Sequence, residues 1–386
     1  MNQYHEQRFE REFFVAEMVL CALKTGSSST ELREFKMPEI DDESAILKVE
    51  VAGICGSDVK NYKTPLENVI MGHENVGRIW KAGKKFLERK GLKEGDLVFL
   101  EHYLPCLKCE WCHIGEYRHC FETDWHHNPG AIRYGYTSAD TAPHLWGGFS
   151  QYLYMPWNAV LHKVPDGVSA ELAGIGTPMA NGVQWTLFEA GIGYGSKVLV
   201  QGPGQQGLCQ VVTAKSAGAD LIIISGTSKD AKRLEVAKQL GADVVINVEK
   251  DDVLEKVMEA TGGKGVDVSV DCTAGAGQKA FFTGLHALKG KAGILVVQGN
   301  ESKTFPDFPM EEVTLKYVTI KSARGHSYLA VEKALHQLAS HRFPVENALT
   351  HAFGLSDVDL AIRSVGGTGE KDVIHVNVQP WKGAAA

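Results

Sequence analysis

The sequence predicts an α/β protein made of a β-rich, barrel-like unit and a doubly wound parallel sheet. Two textures of chain carry that reading. Up to about residue 178 the chain is rich in Gly and Pro, with short β-type runs and no long amphipathic helix. After Ala180, short two-sided apolar runs alternate with helical-length segments, as in a parallel sheet covered on both faces. Length agrees: 386 residues exceed one ordinary core and favour two domains.

Residues 1–17 are polar and charged and read as an extension before a first strand, Met18–Leu23. The runs Ala45–Val51, Asp96–Leu100 and Phe149–Met155 supply further strands of the β-rich unit. In the second unit the strands are Lys197–Gln201, Leu221–Ser225, Val244–Asn247, Val266–Asp271 and Gly293–Gln298. Helices over Leu208–Ala217, Ala231–Leu240 and Asp252–Ala260 separate them. An amphipathic helix, about Leu329–Ser340, precedes renewed β-type segments. The first domain is therefore read as discontinuous, 18–180 and 327–386, around a sheet domain at 181–326.

Composition narrows the function classes. The chain is 44% hydrophobic and 23% charged, with net charge −7 and no basic run of five, which argues against nucleic acid and anionic membrane as partners. No signal-peptide apolar stretch or transmembrane-length segment is visible. Eight cysteines without an export signal suggest a reducing compartment, the cytoplasm, and metal binding over disulfides.

Four of those cysteines, Cys106, Cys109, Cys112 and Cys120, stand as C-x2-C-x2-C-x7-C. Four thiolates on short spacers form the closed tetrahedral site of a structural zinc. Lys108, Glu110 and His113 between them mark an exposed loop, a zinc lobe at 101–121.

Gly202-Pro203-Gly204-Gln205-Gln206-Gly207 directly follows the strand Lys197–Gln201 and opens a helix. In that context a G-x-G-x-x-G turn cradles a dinucleotide pyrophosphate on backbone N–H groups. The end of the second strand, where Asp or Glu usually meets a ribose 2′-hydroxyl, carries Gly226. Thr227, Lys229 and Arg233 follow and suit a 2′-phosphate, so the cofactor is read as NAD or NADP with a lean to NADP. The alternative is a solvated surface loop. Thr273, Gln298 and Gly299 complete the candidate cofactor residues.

Cys55-Gly56-Ser57-Asp58 and Gly72-His73-Glu74-Asn75-Val76-Gly77 add thiolate, imidazole and carboxylate, a set suited to a second zinc. With these motifs in this order, residues 18–380 resemble the zinc-dependent alcohol dehydrogenases of the medium-chain dehydrogenase/reductase superfamily. The polyol and threonine dehydrogenase branches share the C-G-[ST]-D and G-H-E-x-x-G patterns, and the glucose dehydrogenase branch offers a precedent for the G-H-E glutamate as a ligand. The resemblance implies a GroES-like catalytic domain and a Rossmann domain with the active site between them. The reaction it implies moves hydride between an alcohol or polyol and NAD(P), reversibly, in a homo-oligomer.

Carried over by residue, Cys55 and His73 match catalytic-zinc ligands, Asp58 the carboxylate orienting the histidine, and Ser57 the hydroxyl that relays the alcohol proton. Lys60 stands where many relatives keep a relay histidine, and His102 where relatives line the substrate pocket. Thr177 occupies the third-ligand position, where relatives have Cys, Glu or Asp, and a neutral hydroxyl is a poor zinc ligand. The reading therefore takes Cys55, His73 and Glu74 as the set, with His102 a substitute for Glu74. The segment Phe121–Gly148, with Trp125, His126, His127, Tyr134, Tyr136, His144 and Trp146, either shapes an aromatic pocket or packs on the zinc lobe. Two other functions stay open: a reductase of activated double bonds or quinones lacking the catalytic metal, and, more remotely, a non-enzymatic nucleotide-binding protein.

Overall fold

Short strands, most of them buried along nearly their whole length, build the first part of the computed structural model, which describes residues 18–124, 127–298 and 304–383. Strand β1 (Met18–Gly26) pairs antiparallel with β2 (Ser29–Lys36). β3 (Ala45–Gly53) is the spine of a larger sheet. β4 (Val69–Ile70) joins β1, and β5 (Glu74–Ala82) runs antiparallel to β3. β6 (Leu97–Leu100), β7 (Tyr152–Met155) and β8 (Leu161–Lys163) extend that sheet. β7 starts three residues later than expected, because Phe149 turns its N–H to the carbonyl of Met71 and fills the barrel core. Helices in this part are short, Gly56–Tyr62 and Lys84–Lys90 among them.

The second part is a six-stranded, all-parallel sheet ordered β11-β10-β9-β12-β13-β14. The strands are β9 (Lys197–Gln201), β10 (Leu221–Gly226), β11 (Val244–Asn247), β12 (Val268–Asp271), β13 (Ile294–Val297) and β14 (Thr319–Ser322). The order reverses between β9 and β12, and such a switch point opens a crevice beyond the carboxyl ends of the strands. The helix after β9 spans Gln205–Ser216 and so begins inside the glycine motif, capped at Gly204.

After helix Tyr328–Ala339 the chain returns to the first sheet. β15 (Leu349–Phe353) pairs in parallel with β16 (His375–Val378), and β16 pairs with the end of β3 at Gly53 and Ala52. One apolar core joins the two sheets: Val51, Val76 and Phe99 pack with Met179, Val198, Val200 and Leu335. That shared core holds the end of β3 close to the glycine-rich turn.

Candidate active site

Cys55 leaves the end of β3 and caps helix Gly56–Tyr62; its N–H donates to Asp58 Oδ2 at 2.9 Å. The other carboxylate oxygen of Asp58, wholly buried, lies 3.2 Å from His73 Nδ1. That contact orients the ring and leaves Nε2 toward the site, where Ser57 Oγ is 3.3 Å away. Burial alone would depress the His73 pKa, but the Asp58 charge, then Tyr136, holds it well above the ordinary value.

Glu74 opens β5 with its side chain fully buried, and no N–H or O–H among the described residues donates to either carboxylate oxygen; only the Cys55 thiol lies against it. Burial pushes its pKa to about 7; His73 opposes the rise and Asp58 adds to it. A buried carboxylate with no N–H or O–H donor is costly unless a cation meets it. Its oxygen, Cys55 Sγ and a His73 nitrogen lie within 4.8 Å of one another. Space there is tight: a Cβ on Gly53 would come within 2.8 Å of Glu74 Oε2 and 2.9 Å of the Gly174 carbonyl. The residues present thus fit a zinc ion.

His102 stands outside that cluster, its ring centroid 5.5 Å from that of His73. Burial, then Arg133, keeps it neutral. Thr177 is buried on the first turn of helix Gly176–Gly182. Lys60 is exposed on the helix that carries Ser57.

The long segment 121–148 does neither of the two things expected of it as a whole. Tyr134 and Trp146 enter the barrel core, and His144 Nδ1 lies 2.6 Å from the Ala139 carbonyl oxygen. Exposed His127 lies against Asp124. Tyr136 reaches the site, its hydroxyl 3.1 Å from Ser57 Oγ, with the Arg133 guanidinium over its ring. Trp125 and His126 lie outside the described residues.

The four lobe cysteines converge, their sulfurs within 4.8 Å of one another. Leu107 takes a positive φ of 56° so that the chain can fold back, and helix Glu110–His113 starts at Cys109. Burial raises the Cys106 thiol, but the N–H groups of Lys108 and Cys109 outweigh it and bring the pKa to about 7. Burial raises Cys112. All eight cysteines are free thiols, and this quartet suits a closed zinc site.

At the switch point lies a cavity of about 520 Å³ lined by Gly202, Pro203, Gly204, Gly226, Thr227, Asp230, Arg233 and Thr273, among others. Open space surrounds a Cβ position on Gly204, where a pyrophosphate would approach, while a Cβ on Gly207 would strike the Gly202 carbonyl at 1.9 Å. The turn therefore fits a dinucleotide. Five expected cofactor contacts differ. The Gln205 side chain turns away from the cavity to Ile54 and His375, and that of Gln206 accepts from Asn181. Arg233 is no free cation: it donates to the Val373 carbonyl and to Asp230. Exposed Lys229 does not line the cavity, and Gln298 gives its N–H to the Asp271 carbonyl. Gly299 lies outside the described residues.

Sequence reasoning missed two groups. Asp230 lines the cavity while its carboxylate accepts from the Thr227 N–H and hydroxyl. Buried His162 is held between Glu101 at 2.8 Å and Glu332 at 2.5 Å. Only the Thr-x-x-Asp spacing, a capping signature, could have found the first; no local pattern marks the second.

Fold and site together define a two-part zinc oxidoreductase. Residues 41–166 match the alcohol dehydrogenase GroES-like domain and residues 207–340 the zinc-binding dehydrogenase family. A probable alcohol dehydrogenase of Mycobacterium tuberculosis is 35% identical over 319 residues, 81% of this chain and 85% of that protein. Sorbitol dehydrogenase of Bombyx mori is 30% identical, covering 92% and 98%. An alcohol dehydrogenase structure from Thermotoga maritima superposes with TM-score 0.81 at 24% identity over 94% of this chain and 99% of that one, a likeness of fold. The chain belongs to the zinc-dependent alcohol dehydrogenases of the medium-chain superfamily. It is an NAD(P)-type oxidoreductase, and the metal-free reductase and the non-enzymatic alternatives give way to that reading.

Proposed function

We propose that the protein oxidises a polyol or other secondary alcohol reversibly, with one zinc at Cys55, His73 and Glu74 and another at the four-cysteine lobe. The buried Glu74 carboxylate, without an N–H or O–H donor, carries this reading. Sorbitol and L-threonine 3-dehydrogenases among the 30%-identical relatives support the substrate class. A zinc ion held by the three residues would supply the Lewis acidity that lowers a substrate hydroxyl pKa, and a bound nicotinamide would take up the hydride.

The chain's own residues do the rest. Asp58 fixes the His73 ring through Nδ1. Tyr136, whose burial keeps the phenol protonated, donates to Ser57 Oγ and holds it in place, so that Ser57 accepts the substrate hydroxyl proton as it releases its own along the helix to solvent. Lys60, three residues on, lies on the same helix face and leads outward to solvent. Tyr136 and His102 wall the reacting centre.

We extend the proposal to NADP as the better cofactor. Gly226 puts no carboxylate at the strand end, although Asp230 lines the cavity, and Lys229, exposed just outside the lining, is the cation that would swing to a 2′-phosphate. Arg233 would have to exchange Asp230 for the phosphate to help. The division into domains at 18–180, 181–326 and 327–386 is likewise proposed, supported by the return of β16 to β3. A homo-oligomer is supported by the edge strand β14, which exposes Ile320 and follows exposed Met310, Leu315 and Tyr317. Eight free thiols support a cytoplasmic setting. No helix among the described residues is long and apolar enough to cross a membrane.

The test is a panel of alcohols and polyols with NAD and NADP, before and after chelation. Activity that chelation abolishes and zinc restores is the expected result. Chelator-insensitive reduction of a quinone or enone, with no alcohol oxidised, would overturn it.

A further inference from the structure

Gln205 is the first residue of the helix that follows the glycine-rich turn, where a side chain pointing forward would meet the cofactor. It points back instead and is nearly fully buried. Its Nε2 donates to the carbonyl of Ile54 at 3.2 Å, one residue before Cys55. Its Oε1 lies 2.5 Å from Nδ1 of His375 on β16. The Ile54 N–H in turn donates to the Val376 carbonyl on that strand. Behind the imidazole, Nε2 faces Asn377 Oδ1 at 3.0 Å, and the Asn377 amide donates to the Glu171 carbonyl; burial keeps the ring neutral, so its single N–H, on Nδ1, goes to Gln205.

This chain of contacts crosses between the two sheets and ends at the metal cluster from two sides. One side is Ile54, continuous with Cys55. The other is Gly53, whose missing Cβ leaves room for Glu74 Oε2 and for the His375 ring edge, 2.8 and 3.2 Å from that position. The Gln205 amide orientation is set by its backbone partner: with Nε2 on a carbonyl, Oε1 must face the imidazole. Gln205, His375 and the Ile54 backbone are buried, so removing the Gln205 amide leaves one acceptor, the Ile54 carbonyl, and one donor, His375 Nδ1, without their partner.

We infer that Gln205, backed by His375, is a positioning residue that clamps the cofactor turn to the strand end carrying Cys55. The clamp sets the spacing between the cofactor turn and the metal ligands before either ligand is bound. The inference rests on the dehydrogenase reading for its effect on turnover, and on geometry alone for its effect on the chain. A misplacement of about 1 Å between reacting groups can cost on the order of 100-fold in rate.

Gln205→Met keeps the length and removes both hydrogen bonds; His375→Leu removes the backing. Native-state hydrogen exchange on protein without cofactor should show faster exchange, by roughly tenfold or more, in 54–58 and 203–207 together in either variant. Turnover should fall about 10–100-fold with both zincs retained and the cofactor Kd changed less than threefold. The double variant should be no worse than the weaker single one, because the two residues act as one link. Unchanged exchange in both segments, or turnover within twofold of wild type, would overturn the clamp. Were the wild type to oxidise no alcohol, the dehydrogenase reading would fall, and the exchange data would still decide the clamp.

Discussion

The two metal clusters of this chain are built by opposite routes. The four-cysteine lobe is local: fifteen residues, one positive-φ turn at Leu107 and one short helix bring the sulfurs together. The second cluster draws Cys55 from the end of β3 and His73 and Glu74 from the start of β5. Its ligands are fewer, and one is a carboxylate that the protein itself leaves without an N–H or O–H donor. A site closed by four soft ligands has nothing to offer a substrate, whereas three ligands leave a position open. The lobe should therefore answer to stability measurements and the cleft to turnover.

The largest effect expected is in the cleft. Cys55→Ser should lower turnover on the order of 100-fold or more with one zinc lost per chain. Thermal stability should change little, since the helix it caps keeps its bond to Asp58. Cys109→Ser should do the reverse, lowering Tm by roughly 5–10 °C before hydride chemistry is touched. If the two variants gave the same pattern, the contrast would be lost.

A middle-sized effect belongs to neither metal. Burial lowers the His162 pKa, but Glu101 and Glu332 outweigh it and hold it above the ordinary value. The sign follows: the stabilisation is complete below pH 6.5 and is lost as pH rises through the folded pKa. His162→Gln should cost roughly 3 kcal/mol at pH 6, and less at pH 9, by chemical denaturation. A pH-independent difference would contradict it.

The smallest effect is at the cofactor. Lys229→Ala should lower kcat/KM for NADP about tenfold and leave NAD unchanged, as for one charge-assisted hydrogen bond. Equal loss with both cofactors would remove Lys229 from the 2′-phosphate.

What was legible in the sequence follows the same contrast. Strand β9, the glycine turn and the cysteine quartet are local patterns, and all three stand where spacing put them. The parallel sheet and the return of the chain to the first domain were readable as texture; the strand order and the pairing of β16 with β3 were not. What spacing hides is where a long polar side chain goes once two sheets meet. Gln205 and Arg233 lie in motif positions, yet β16 and the loop before it supply the carbonyl and imidazole that take them. Tyr136 was one aromatic among seven; only packing shows that Tyr134 and Trp146 enter the core while Tyr136 turns to Ser57.

Glu74 as the third ligand in the cleft is the centre of the proposed mechanism. The decisive measurement is zinc stoichiometry with turnover in Glu74→Gln, set beside Thr177→Ala and His102→Ala. The expected result is one zinc per chain and turnover lower by about 100-fold or more in Glu74→Gln, with two zincs kept in the other variants. Two zincs and near-native turnover in Glu74→Gln, with a zinc lost from His102→Ala, would contradict it.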